Sequence, residues 1–149
     1  MRNIERFIKI EGVNWLPSIQ SRYLNRFSFF ESCKRMKQLI GDYPRVAIGT
    51  VCKTNNIKFI EYCAKVARKF FPKSKIHAFG LTITALPKIH RVIDSWDSLA
   101  YSFIRGRRVD NKGRKKARCL NNKERVEFFY AYIDRINEIL KEATRFETI

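Results

Sequence analysis

No two cysteines of this sequence are spaced as Cys-x-x-Cys; the four stand apart at Cys33, Cys52, Cys63 and Cys119. That excludes the zinc knuckle and the redox pair, which both need close thiols. Isolated positions suit reduced, buried thiols of an intracellular protein. Only two histidines occur. Two histidines and scattered cysteines do not make a metal site, so no metal and no cofactor is expected. Glycine is scarce at six residues, and none lies in Gly-x-x-x-x-Gly-Lys or Gly-x-Gly-x-x-Gly, so neither phosphate loop is present. No apolar run approaches the roughly 18 residues of a membrane span. The charged start Met1-Arg2-Asn3-Ile4-Glu5 does not read as a secretory signal. A soluble, cytoplasmic protein is the expectation.

Acidic residues are also few, 14 against 31 Lys and Arg, a formal net charge of +17 over 149 residues. Such a surface attracts polyanions through phosphate neutralisation and counterion release. A solubilising or purely structural surface is the plainer alternative. The charge is locally concentrated, which favours nucleic-acid contact. What is abundant is apolar: 45% hydrophobic and 13% aromatic residues, enough for a packed core in one domain.

Along the chain, 7–12 reads as a β-rich run ended by Gly12, presenting Glu11 at its end. Pro17 then suits the first turn of a helix, with Ile19, Tyr23, Phe27 and Phe30 at helical spacing, and Cys33, Met36, Leu39 and Ile40 continuing. Residues 45–51 form the clearest strand, nearly continuous in apolar character as a strand buried on both faces should be. A helix over 57–71 follows and stops at Pro72; a strand over 75–82 comes next. Residues 84–92 are a short helical segment, and Val92-Ile93 starts the last strand. Residues 123–143 make a closing helix capped by Asn121 and Asn122, with Val126, Phe129, Tyr130, Ile133, Ile136 and Leu140 inward.

The expected organisation is one domain over 1–149: βα repeats over 7–104, a basic loop over 105–120 and a C-terminal helix over 121–145. Strands alternating with helices imply an α/β fold with a parallel sheet and right-handed crossovers. In such folds functional groups gather at the carboxyl ends of strands. Glu11, Gly49-Thr50, Gly80-Leu81 and Asp94 with Asp97 are the four strand-end sets.

Asp94 and Asp97 lie three apart and bracket Trp96. A carboxylate there can attack a sugar C1′ and hold a covalent intermediate, with a second carboxylate tuning it. Equally, Asp94 and Ser95 can cap a turn, and Asp97 or Ser98 a helix. Ser98 with His77 or His90 lacks a nucleophile-elbow pattern. His77, inside an apolar strand, reads as a core or strand-end hydrogen-bonding residue. Gly49-Thr50 and Gly80-Leu81 allow close backbone approach to a flat ligand, or simply tight turning. Between Arg105 and Arg118 eight Lys or Arg face one acid, Asp110. Arg105, Arg107, Arg108, Arg114, Lys115, Lys116 and Arg118 are the expected clamp on a phosphate backbone, with a solvated charge run as the alternative. Trp96 and Tyr101 can stack on a base or pack beneath that loop.

These motifs resemble a family. Ile93-Asp94-Ser95-Trp96-Asp97-Ser98 is similar to the segment carrying the catalytic aspartate in tRNA-guanine transglycosylases, (I/V)-D-x-F-D-C. Asp97-Ser98-Leu99-Ala100-Tyr101-Ser102, with Arg107-Arg108, resembles the DS-(M/L)-A-aromatic-S stretch of the related DNA-modifying 7-deazaguanine transglycosylases. Residues 75–81 resemble their H-(A/G)-F-G strand, residues 46–53 their G-(I/V)-G-S-V-C-(K/R) strand, and Ile10-Glu11-Gly12 falls where they have a Q-G pair. The likeness spans 8–108.

The resemblance implies a parallel βα repeat like half of a (β/α)8 TIM-type barrel, and exchange of guanine in DNA or tRNA for a 7-deazaguanine base, with DNA the closer match. It implies Asp97 as nucleophile and Asp94 in support. Glu11, Gly49, Thr50, Gly80, Leu81, Trp96 and Ser98 would bind the base, and Arg107 and Arg108 lie near the substrate strand. Only half of a barrel of roughly 250 residues is covered, the tRNA enzymes' zinc cluster has no counterpart around Cys119, and Glu11 stands for glutamine. A second chain or self-association completing the barrel is therefore expected. Two alternatives remain at this point: a non-catalytic nucleic-acid-binding protein on the same scaffold, and a small nuclease holding a divalent ion with Asp94, Asp97 and Glu11.

Overall fold

The computed structural model describes residues 2–7, 9–98, 103–109, 115–119 and 121–145; of residues 2, 3, 5, 53, 103–109, 115–119 and 145 it describes the backbone alone. The chain divides into two compact units, Met1–Asp97 and Ser98–Ile149.

The first unit is α/β. Helix α1 (Arg2–Phe7) precedes strand β1 (Ser18–Ile19), followed by α2 (Arg26–Ile40), β2 (Arg45–Ile48), α3 (Ile57–Phe70), β3 (Lys75–Ala78), α4 (Leu86–Ile89) and β4 (Ser95–Trp96). Short 3-10 turns at Thr50–Lys53 and Ile83–Ala85 follow β2 and precede α4. The four strands form one sheet in the order β1-β2-β3-β4, every pair parallel. A sequential order with right-handed crossovers sends every connecting helix to the same side. Pleat parity puts Ile19, Val46, Ile48, Ile76 and Ala78 on that side. All five are buried, as are Phe29, Cys33 and Met36 of α2, Phe59, Ile60, Cys63, Ala64 and Ala67 of α3, and Leu86 and Ile89 of α4.

Local chemistry sets the helix ends. The Asn25 and Asn56 side chains accept from the backbone N–H of Ser28 (2.7 Å) and Phe59 (3.0 Å), capping α2 and α3. Gly41 takes φ +58° after α2 and donates to the Lys37 carbonyl at 2.9 Å.

The first thirty residues depart from the sequence expectation. Residues 7 and 9–12 are not a strand: α1 ends at Phe7, the Ile10 N–H turns back to the Phe7 carbonyl at 3.1 Å, and Gly12 has φ +76°. Pro17 does not open a helix. Its carbonyl accepts the Ala47 N–H at 2.8 Å, and the Ile19 carbonyl accepts that of Gly49 at 3.0 Å, making β1 an edge strand. Proline is tolerated on an edge because no ladder bond asks for its missing N–H. The helix begins only at Arg26, leaving Tyr23 and Phe27 exposed rather than in a stripe.

The second unit holds β5 (Phe103–Val109), β6 (Lys115–Cys119) and α5 (Asn122–Arg145). Residues 105–120, expected as a loop, contribute to an antiparallel two-stranded sheet. Its register sets Arg118 opposite Ile104, Ala117 opposite Arg105 and Lys115 opposite Val109, so no two cations share those rungs. The shift between Arg105 and Val109 lets Gly106, Arg107 and Arg108 bulge. Asn121 and Glu124 form a capping box at α5, each accepting the other's N–H at 2.9 Å. Ile136 and Ile139 are buried, but Val126, Phe129, Tyr130 and Ile133, expected inward, are exposed, Tyr130 by 65%. A two-stranded sheet gives this unit little surface with which to cover a helix of 24 residues. Among the described residues no helix is long and apolar enough to cross a membrane.

Candidate functional site

The face of the four-stranded sheet away from the core is polar. Register aligns Ser18, Ala47, His77 and Ser95 in one row across all four strands. Two residues back on the same face stand Arg45 and Lys75. Two residues on, where the strands end, stand Gly49, Phe79 and Asp97.

Asp97 is anchored by its backbone and exposed by its side chain. Its N–H donates to the Ala78 carbonyl at 3.2 Å, and its carbonyl accepts the Leu81 N–H at 2.9 Å. The carboxylate, 56% exposed, accepts the Gly80 N–H through Oδ1 and faces His77 Nε2 at 3.6 Å through Oδ2. His77 Nδ1 lies 2.9 Å from Ser95 Oγ, and the imidazole packs edge-on against Phe79 at 4.8 Å between centroids. With the proton on Nε2, the Ser95 hydroxyl donates to Nδ1 and the imidazole presents its N–H to Asp97. Ser95, His77 and Asp97 have the composition of a serine–histidine–aspartate relay. However, 3.6 Å exceeds a hydrogen bond, and the neighbouring Gly80 and Leu81 N–H groups are spent on Asp97 rather than turned to an oxyanion. The arrangement instead orients one carboxylate.

Gly80 is dictated here. Its φ is +58°, and a Cβ would lie 2.7 Å from Cys52 Cβ. Gly49 is equally tight: a Cβ would lie 2.0 Å from Gln20 Nε2 and 2.6 Å from Ser18 Oγ. Gln20, which donates to Ser18 Oγ at 3.2 Å, thus lies over Gly49 at the end of β1. Thr50 is buried, and its hydroxyl accepts from the Ser21 N–H at 2.8 Å, tying the β1 and β2 ends together.

Asp94 belongs to the other face. One carboxylate oxygen accepts from the Ile76 N–H at 2.7 Å and from Arg68 Nη2 at 2.6 Å, while the Asp94 N–H donates to the Ile76 carbonyl at 2.9 Å. Arg68 also donates to the carbonyls of Val92 (3.0 Å) and Ser74 (2.8 Å), joining α3 to the chain entering β3 and β4. Burial pushes the Asp94 carboxyl up, but the Ile76 N–H and the Arg68 guanidinium outweigh it and leave the group below its ordinary value.

Of the expected site residues, the structure gathers Asp97, Gly49, Thr50, Gly80 and Leu81 at the carboxyl end of the sheet. Asp94 and Trp96 lie on the core side by strand parity. Glu11 is exposed in the turn after α1. Among the described residues no group of three His, Cys, Asp or Glu could hold a metal ion, so Glu11 does not complete a set with the two aspartates. Ser98 begins the second unit. Arg105, Arg107 and Arg108 lie on β5, and Lys115, Lys116 and Arg118 on β6; Arg114 and Tyr101 fall outside the described residues. Gln20 was hidden because β1 is only two residues long. Compared with protein-family models, with curated proteins and with solved structures, the chain gives no match.

Proposed function

We propose that this chain is a base-exchange transglycosylase-like protein that replaces guanine in DNA, or in tRNA, with a 7-deazaguanine through Asp97, on half of a (β/α)8-type barrel. The observation that carries this is the setting of Asp97: a solvent-reaching carboxylate at the carboxyl end of β4, oriented by the Gly80 N–H and facing His77. A carboxylate so held attacks C1′ of the target nucleotide as the guanine leaves, giving a glycosyl ester. The incoming base then displaces Asp97 from C1′ and restores the carboxylate. The strand ends supply base recognition. Gln20, rather than Glu11, stands at the end of β1 beside Gly49, and its amide offers both a donor and an acceptor to a base edge. Asp94, bound to Arg68 and Ile76, holds the frame in which Asp97 sits. A four-stranded parallel sheet with helices on one side suits completion by a second chain or a second copy.

The test is trapping. Incubated with guanine-containing DNA or tRNA, the protein forms an adduct that survives denaturing electrophoresis, and incorporates labelled 7-deazaguanine base. Asp97→Ala removes adduct and incorporation while nucleic-acid binding persists. Undiminished incorporation in that variant refutes the reading. Binding without adduct in the wild type leaves the non-catalytic alternative, which the +17 charge and the basic β5 and β6 strands favour.

A further inference from the structure

Strand register places a donor behind the Asp97 carboxylate. His77 and Ser95 are paired between β3 and β4, so their side chains stand side by side, and Asp97 follows Ser95 by two residues on the same face. Phe79 holds the imidazole edge-on, with the ring planes 71° apart. The His77 side chain is the sheltered member, 21% exposed against 56% for Asp97. The two carboxylate oxygens differ. Oδ1 accepts the Gly80 N–H, whereas Oδ2 faces His77 Nε2 at 3.6 Å and takes no hydrogen bond among the described residues. A bare ring nitrogen there would set one lone pair against another, so the proton belongs on Nε2. Nδ1 must then accept, and the Ser95 hydroxyl, 2.9 Å away, is its donor.

We infer that His77, fixed in that tautomer by Ser95, is a positioning residue for the second half of the exchange: its Nε2–H takes up the Asp97 carboxylate as it leaves C1′. The inference rests on the base exchange proposed above. Gly80 holds Oδ1, so Oδ2 is the oxygen that bonds C1′. In the glycosyl ester Oδ2 carries no charge. The incoming base then gives the proton of its glycosidic nitrogen to water and that nitrogen's electron pair to C1′. The C1′–Oδ2 bond breaks, and its pair returns to the carboxylate. A movement of about 0.7 Å closes the resting 3.6 Å to an ordinary N–H···O length. A hydrogen bond to a charged acceptor is stronger than one to a neutral ester, so this donor draws the equilibrium towards release. No proton passes to or from His77.

The full chain is mixed with guanine-containing DNA or tRNA and labelled 7-deazaguanine base, and adduct and incorporation are followed together. His77→Phe is expected to accumulate adduct while incorporation falls about tenfold. His77→Gln, which returns an N–H near the place of Nε2, recovers most of the incorporation. Ser95→Ala frees the ring to carry its proton on Nδ1 and lies between the two. A residue that merely packs would lose adduct and incorporation in step. Such a parallel loss in a folded His77→Phe overturns the inference. Where His77→Phe does not fold, Ser95→Ala decides in its place, and an adduct level there no higher than in the wild type overturns the inference. Long-range proton–nitrogen correlation spectra at pH 8 read the tautomer without substrate, with His77 assigned by its loss in His77→Gln. The wild type is expected to carry the proton on Nε2, and Ser95→Ala to give a mixture. An Nδ1–H tautomer in the wild type overturns the inference whatever the chemistry. A wild type with neither adduct nor incorporation overturns base exchange, and this role of His77 with it; wild-type exchange that none of the variants alters overturns the role alone.

Discussion

Removing the Asp94 carboxylate should loosen the first unit in a way that pH can switch off. Asp94→Asn keeps an oxygen for the Ile76 N–H but discards the charge facing Arg68. The two side chains are 39% and 30% exposed, so solvent screens the pair and it contributes about 0.5–1 kcal/mol. Asp94→Ala also orphans the Ile76 N–H, costing about a further 1–2 kcal/mol. Both tryptophans, Trp15 and Trp96, lie in the first unit, so their fluorescence follows its unfolding alone. At about 4–8 °C per kcal/mol for a unit of this size, Asp94→Ala should lower its midpoint by roughly 6–24 °C at pH 7. The folded carboxyl sits below its ordinary value of about 3.9. The charge contribution is therefore present in full above that value and disappears as pH falls through the folded one. The deficit of Asp94→Asn should shrink towards zero once the pH has fallen below the folded value, while that of Asp94→Ala persists, because a protonated carboxyl still accepts from Ile76. An Asp94→Asn penalty that is absent at pH 7, or equal at pH 7 and below the folded value, refutes this account.

Further outcomes can be checked with the same material. Gly41 and Gly80 share φ +58°, but only Gly80 meets a neighbour, so Gly41→Ala should cost about 1–3 kcal/mol in urea unfolding and Gly80→Ala clearly more; equal costs would remove the role of Cys52. Burial pushes the Cys33 and Cys63 thiols up to about 12, so in a Cys119→Ser background native protein at pH 8 should label with a thiol reagent at exposed Cys52 alone; two native labels would contradict the packing. Phe29 is fully buried between α2 and the sheet, and Phe29→Ala should cost about 3–5 kcal/mol by tryptophan-monitored unfolding; a loss under 1 kcal/mol would contradict that position.

What was legible in the sequence had local causes. The apolar run between Pro44 and Gly49, and the helix between Asn56 and Pro72, announce themselves through period and punctuation, and the structure places both within a few residues. β1 was not legible because two residues carry no period; it exists because the Pro17 and Ile19 carbonyls meet N–H groups of β2. β5 and β6 were read as a loop because glycines and dense charge weigh against an isolated strand, whereas the cross-strand register separates the cations. In the site, the glycine-ended strands and Asp97 could be read from chain position. The partnership of Arg68 with Asp94 could not, since it joins a helix to a strand 26 residues further on.

The order β1-β2-β3-β4 also bears on how the first unit comes into being. Each strand pairs with the one synthesised just before it, and each intervening helix packs as the chain returns. No pairing waits for a distant segment, so the loop-closure cost is met in small instalments. Folding can therefore proceed in step with synthesis, βα unit by βα unit. Asp97, in the last residues of the unit to emerge, meets Gly80 and His77 only once the rest of the sheet is in place.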